Sequence, residues 1–172
     1  MPSREFLDPH ASLRLWMVEC AERFYGRTAP VVPFADSAAR RMGDAYLWRG
    51  NGLPDVANKF AAMLGAHLAS EYLAAKQEFP VMVRLFSEQA AELMAFLKAQ
   101  KEPHFGFSAA DWLEGHPAVE TKHAGYAARA AEAAVFGATD QGTATYWNSF
   151  VTGFSEFCRN DHEYFCKLFA PD

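Results

Sequence analysis

The sequence predicts an all-α protein, a single-domain up-down helical bundle of about five main helices plus a short helical turn over residues 1–172. Three observations carry this reading. Apolar residues recur at helical spacing through several segments long enough to form helices. Apolar–polar alternation never persists, and β-branched residues are too sparse for strands. No internal repeat, heptad array or low-complexity tract suggests a solenoid, a coiled coil or a disordered chain.

Asp8-Pro9 is a helix start, with Asp as N-cap and Pro at the first helical position. The first helix then runs to Tyr25, where Gly26 ends it. Leu13, Trp16, Met17, Cys20 and Phe24 make its inner face, while Arg14, Glu19 and Arg23 look outward. A Pro-punctuated connection leads to a second helix, capped by Asp36 or Ser37 and running to about Trp48. After the turn Arg49–Pro54, a long third helix covers about Val56 to Phe79, and Pro80 closes or kinks it. Val56, Phe60, Met63 and Leu64 form its apolar stripe, and His67 and Glu71 fall inside that stripe.

The fourth helix, residues 81–100, turns Met82, Leu85, Phe86, Leu93, Phe96 and Leu97 to one side. Residues 101–116 are a loop with one helical turn from Ser108, its N-cap, to Leu113. Pro117 starts an Ala-rich fifth helix with Val119, Tyr126, Ala130, Ala133 and Ala134 inside, and His123 among them. The last helix, about Thr143 to Phe169, has an aromatic inner face of Tyr146, Trp147, Phe150, Phe154, Phe157, Tyr164 and Phe165. Asp161 projects almost at the centre of that face.

Composition narrows the function classes. A hydrophobic content of 51% excludes a disordered chain. Fifteen Phe, four Trp and six Tyr exceed what an Ala-rich bundle needs to fold, so they thicken the core or wall a pocket. A net charge of −5 without any Lys/Arg run argues against nucleic acid as a partner. The N-terminus lacks a signal-peptide pattern, and no apolar run reaches membrane-spanning length. Cys20, Cys158 and Cys166 show no CxxC spacing and read as reduced thiols of a cytoplasmic protein, with no metal or redox role.

The chemistry-bearing residues are polar groups on apolar faces: His67, Glu71, His123 and Asp161, with Glu120 at a face edge. A buried His–Glu pair costs stability unless a partner, a metal or a substrate satisfies it. Glu120-x-x-His123 has the i,i+3 spacing by which one helix offers two ligands to a metal, and His67-x-x-x-Glu71 does the same at i,i+4. Imidazole and carboxylate together suit Fe, Mn or Zn. The expectation is a transition metal, Fe or Mn, held by His67, Glu71, Glu120, His123 and Asp161. Glu92 or His10 would extend the set to a dinuclear site. Tyr126 and Trp147 wall the pocket, and the chemistry is redox or oxygenase-type on a small, partly apolar substrate.

A competing reading makes the protein a non-enzymatic binder or adaptor. In it, His67 and Glu71 bond to each other, Asp161 pairs across the bundle, and Glu120 complements the helix dipole in the first turn after Pro117. The aromatic-rich surface then engages an apolar ligand, a partner protein or a second copy of the chain. No catalytic side chain is assigned, since Ser, Cys and His show no nucleophile signature. The glycines of Arg49-Gly50-Asn51-Gly52 mark a turn rather than a phosphate cradle. A ferritin-like di-iron protein would carry a second ExxH, and a hemerythrin would carry His where Ala127 stands, so neither family is assigned.

Overall fold

The computed structural model describes residues 9–28, 38–46, 56–136 and 140–168. The helices are α1 (Pro9–Tyr25), α2 (Ala38–Tyr46), α3 (Val56–Leu73), α4 (Phe79–Gln89), α5 (Ala91–Ala99), α6 (Asp111–Phe136) and α7 (Asp140–Leu168), with a π-helical stretch at Ala74–Glu78. Among the described residues there is no strand, and one isolated bridge pairs Lys101 with Ser108. The all-α reading therefore holds. No helix of the described residues is long and apolar enough to cross a membrane. Contacts group the chain into two compact units: Met1–Val31 with Ala74–Val119, and Val32–Leu73 with Glu120–Asp172.

In the first unit, Cys20 of α1, Phe79 and the α5 residues Leu93, Met94 and Leu97 form one core with Ala109, Ala110 and Leu113. Gly26 ends α1 at φ 63, the left-handed conformation that suits glycine at a helix C-terminus. The capping expectations at Asp8, Asp36 and Ser37 lie outside the described residues. Pro80 is the second residue of α4, directly after the π-helical stretch, so helix continues past it rather than closing at Phe79. The turn before it widens into the π stretch, which accommodates a ring that would otherwise meet the carbonyl four residues back.

The predicted helix over 81–100 is two helices, because Ala90 leaves the helical region at φ −134, ψ 43. No Gly or Pro marks that break. The Ala90 N–H still reaches the Phe86 carbonyl at 3.0 Å, and the Ala90 carbonyl accepts from Met94 N–H at 2.9 Å, so bending there sacrifices little hydrogen bonding. The loop after α5 is built on Glu102, which is 2% exposed. Its Oε2 accepts the amide N–H groups of His104 and Phe105, each at 2.7 Å. Gly106 turns the chain back at φ 72.

The start of α6 corrects a second expectation. The Asp111 carboxylate accepts twice from Ser108, from its amide at Oδ2 (2.8 Å) and from its hydroxyl at Oδ1 (2.7 Å). The helix therefore begins at Asp111 and runs through Pro117, which was expected to open it. Pro117 cannot donate to the Leu113 carbonyl. One residue earlier, the His116 ring nitrogen Nδ1 bonds the Trp112 carbonyl, and the ring stacks on Phe79 at 4.3 Å.

In the second unit, the expected stripe on α3 holds only in part: Met63 and Leu64 are half-buried, Leu64 against the core, while its N-terminal half is turned outward. Val56 is 82% exposed and Phe60 51%. The buried residues of α3 are instead Asn58, Ala61, Ala62, Gly65, Ala66, Ala69 and Leu73. This small-residue face lies directly on the backbone of α7. A Cβ at Gly65 would collide with the Phe150 carbonyl, and one at Gly153 with the Ala62 carbonyl. Backbones this close need glycine at both contacts. Larger apolar side chains cannot occupy such a face, which is why Val56 and Phe60 stand outside it.

Ser149 donates to Asn58 Oδ1 at 3.0 Å. With Gly153 beside Ala62, this pairing shows that α3 and α7 run parallel. Tyr146 and Phe150 cluster with Ala61 and Ala131, and Phe157 with Ala66, Ala69 and Leu73. Trp147, predicted inside, is 50% exposed. Among the described residues of α6 from Glu120 onward the buried ones are Glu120, Ala127 and Ala131, whereas Val119 and Tyr126, expected inside, are 44% and 60% exposed. The helix is rotated from its predicted phase because alanine on every side leaves the apolar face ambiguous.

Candidate metal centre

Glu71 of α3 meets Glu120 and His123 of α6. Glu71 lies in the last turn of α3, one turn after His67. Glu120 and His123 lie one turn apart on α6, so two helices supply four polar side chains. The His123 Nδ1 atom is 3.1 Å from Glu120 Oε2 and 3.3 Å from Glu71 Oε2. On the other side of Glu71, its Oε1 is 3.5 Å from His67 Nδ1. The carboxylates are the inner members and the imidazoles the outer ones: Glu120 and Glu71 side chains are 10% and 16% exposed, His67 and His123 36% and 47%.

The nitrogen facing the two carboxylates carries at most one proton. His123 Nδ1 pairs with Glu120 Oε2 at 3.1 Å, the direction of the bond being set by the imidazole tautomer. Glu71 Oε2 is buried, with His123 Nδ1 3.3 Å away. Burial is the first cause that raises the Glu71 carboxyl, to about 7. The hydrogen bond and like charge of Glu120 push it further up, and His123 opposes them. Burial also lowers His67, helped by the charge of His123 and opposed by Glu120.

The cluster can relieve its paired carboxylates in two ways. A proton on Glu71 can bridge to Glu120, or a cation can sit between the carboxylates. Ligand atoms of Glu71, Glu120 and His123 all lie within 4.8 Å of one another, so these residues could hold a metal ion. Two carboxylates with imidazole match the donor preferences of iron, manganese and zinc.

The other predicted site residues lie elsewhere. Asp161 is buried at 5% exposure but does not join the Glu71–Glu120–His123 group. Its charge acts on Cys158, whose thiol is pushed up by burial first and by Asp161 second. Tyr126 lies one turn beyond His123 and carries the Arg129 guanidinium 4.8 Å from its ring centre. Trp147 stacks on Phe150 at 5.2 Å. Glu92 is exposed on α5, and the His10 side chain lies outside the described residues.

Glu120 is more deeply buried than its predicted edge position implied. Since α6 begins at Asp111, Glu120 is well past the first turn, and the helix dipole no longer accounts for it. The buried Glu102 had no helical periodicity to reveal it, because it serves a loop. Comparison with known proteins finds no matching family model, no matching curated protein and no matching solved structure.

Proposed function

We propose that the chain binds a divalent transition metal, iron or manganese, through Glu71, Glu120 and His123, with His67 alongside. The observation that carries this reading is the close grouping of Glu71, Glu120 and His123, whose ligand atoms all lie within 4.8 Å of one another with both carboxylates largely buried. Like-charged carboxylates held together in a partly buried site destabilise each other unless a proton or cation joins them. Glu71 and Glu120 supply the negative charge, and His123 adds a nitrogen donor that favours a transition metal over calcium or magnesium.

When bound, such a metal supplies redox or oxygenase-type chemistry at positions the protein leaves open. The chain leaves its half-exposed His123 side open to solvent. Tyr126, one turn along, offers an aromatic surface for a small, partly apolar substrate. Stripped protein titrated with Mn(II), and with Fe(II) under anaerobic conditions, tests binding directly. Metal at a hundredfold excess over its dissociation constant should stabilise the fold by about 2.7 kcal/mol. Glu120→Ala should remove that gain. Wild-type melting that is indifferent to both metals would overturn the reading.

A second reading rests on Val56, Phe60, Trp147 and Val151, which are 82%, 51%, 50% and 43% exposed. In it, a partner protein or a second copy covers these side chains, and the polar cluster only specifies packing. Metal-free protein in concentration-dependent self-association, abolished by Trp147→Asp, would favour it.

A further inference from the structure

We propose that Glu71 is a bridging carboxylate, and that the cluster takes a second divalent ion on its His67 side. This rests on the metal reading. The two oxygens of Glu71 face different imidazoles. Oε2 is 3.3 Å from His123 Nδ1, and Oε1 is 3.5 Å from His67 Nδ1. A single ion between Glu120, His123 and Glu71 Oε2 would leave the His67–Oε1 edge outside its coordination sphere. That edge still presents one carboxylate oxygen and one imidazole nitrogen, the beginnings of a second sphere completed by water. Carboxylates that bridge ions in this way hold them roughly 3.5–4 Å apart, a span set by the two oxygens of one carboxyl group.

The two positions are unequal. The first has donors from three side chains, two of them carboxylates no more than 16% exposed. The second has donors from two, and its imidazole is 36% exposed. The two carboxylates balance one divalent ion, so the second enters against a neutralised cluster and keeps more water. The ions therefore bind in sequence, the second more weakly.

The experiment is a Mn(II) titration of the stripped full chain, read by equilibrium binding and electron paramagnetic resonance. The first equivalent should give the spectrum of an isolated Mn(II) ion. The second should attenuate it through exchange coupling across the Glu71 carboxylate. His67→Ala should leave the first affinity within about threefold and weaken the second by about ten- to a hundredfold, with the coupling lost. His67→Gln serves as a second variant, and circular dichroism checks that both fold. One ion per chain, unchanged by either His67 variant, would overturn the bridging role while leaving the metal reading intact. Two uncoupled ions insensitive to His67 would overturn it as well. No binding by the folded wild-type chain would overturn both.

Discussion

Replacing Glu71 with Gln in metal-stripped protein should make the fold less sensitive to alkaline pH. The Glu71 carboxyl is raised from 4.5 to about 7, first by burial and then by Glu120. At about 1.36 kcal/mol per pH unit, that difference of about 2.5 pH units corresponds to roughly 3–4 kcal/mol at most. The neighbouring imidazoles are 36% and 47% exposed, and solvent screening reduces the effect to about 1–2 kcal/mol. The sign follows from the raised value. The folded chain holds the proton more tightly than the unfolded chain, so the contribution is fully present below pH 4.5. It is lost as pH rises through about 7 and is constant above.

Urea denaturation in chelator across pH 5 to 8 measures this, and the difference between wild type and Glu71→Gln cancels groups common to both. The variant should gain about 1–2 kcal/mol on the wild type between the two ends. A difference that stays flat with pH, or a variant that loses ground toward pH 8, would refute the account of the cluster's electrostatics.

Two further sets of substitutions test the helix packing within the second unit and the loop after α5. Gly65→Ala drives a methyl group into the Phe150 carbonyl and should cost about 1–3 kcal/mol or more, whereas Gly43→Ala and Gly115→Ala, with open space at the new Cβ, should stabilise by about 0.5–1 kcal/mol. Thermal melts that rank the three substitutions together would contradict the close approach of α3 and α7. Glu102→Ala leaves the His104 and Phe105 amides without their carboxylate acceptor and should cost about 2–4 kcal/mol, with Glu102→Gln partly restoring it. Hydrogen exchange at those two amides reports the loss directly, and unchanged protection in Glu102→Ala would exclude the role given to that carboxylate.

The helical class was legible because periodicity, caps and breaks agree along most of the chain. Gly26 falls where its local chemistry places it. The misread faces of α3 and α6 share a cause. On α3 and α6, alanine and glycine carry the packing, and a pattern search that weights large apolar side chains reads their exposed neighbours as the core. The stripe Ala61, Ala62, Gly65, Ala66 and Ala69, with Gly153 on the other helix, was the signal for close backbone contact. The Ala90 bend and the passage of α6 through Pro117 depend on packing and on the Ser108–Asp111 hydrogen bonds, which outweigh local preference.

The polar cluster was legible in part for a simpler reason. His67-x-x-x-Glu71 and Glu120-x-x-His123 each keep their spacing whatever the helix phase, so a rotation of either helix moves the pair as a unit. What spacing does not contain is which pairs meet. Glu71 reaches across to His123, while Asp161, equally polar and on an equally apolar helix face, stays with Cys158.

The most direct test is elemental analysis of full-length protein produced with iron and manganese in the medium, beside a Glu71→Ala/Glu120→Ala variant shown to be folded. If the cluster is a metal centre, the wild type carries about one or two iron or manganese ions per chain and the variant carries none. Metal-free wild type, before and after reconstitution, would contradict the central claim and leave the carboxylates joined by a proton.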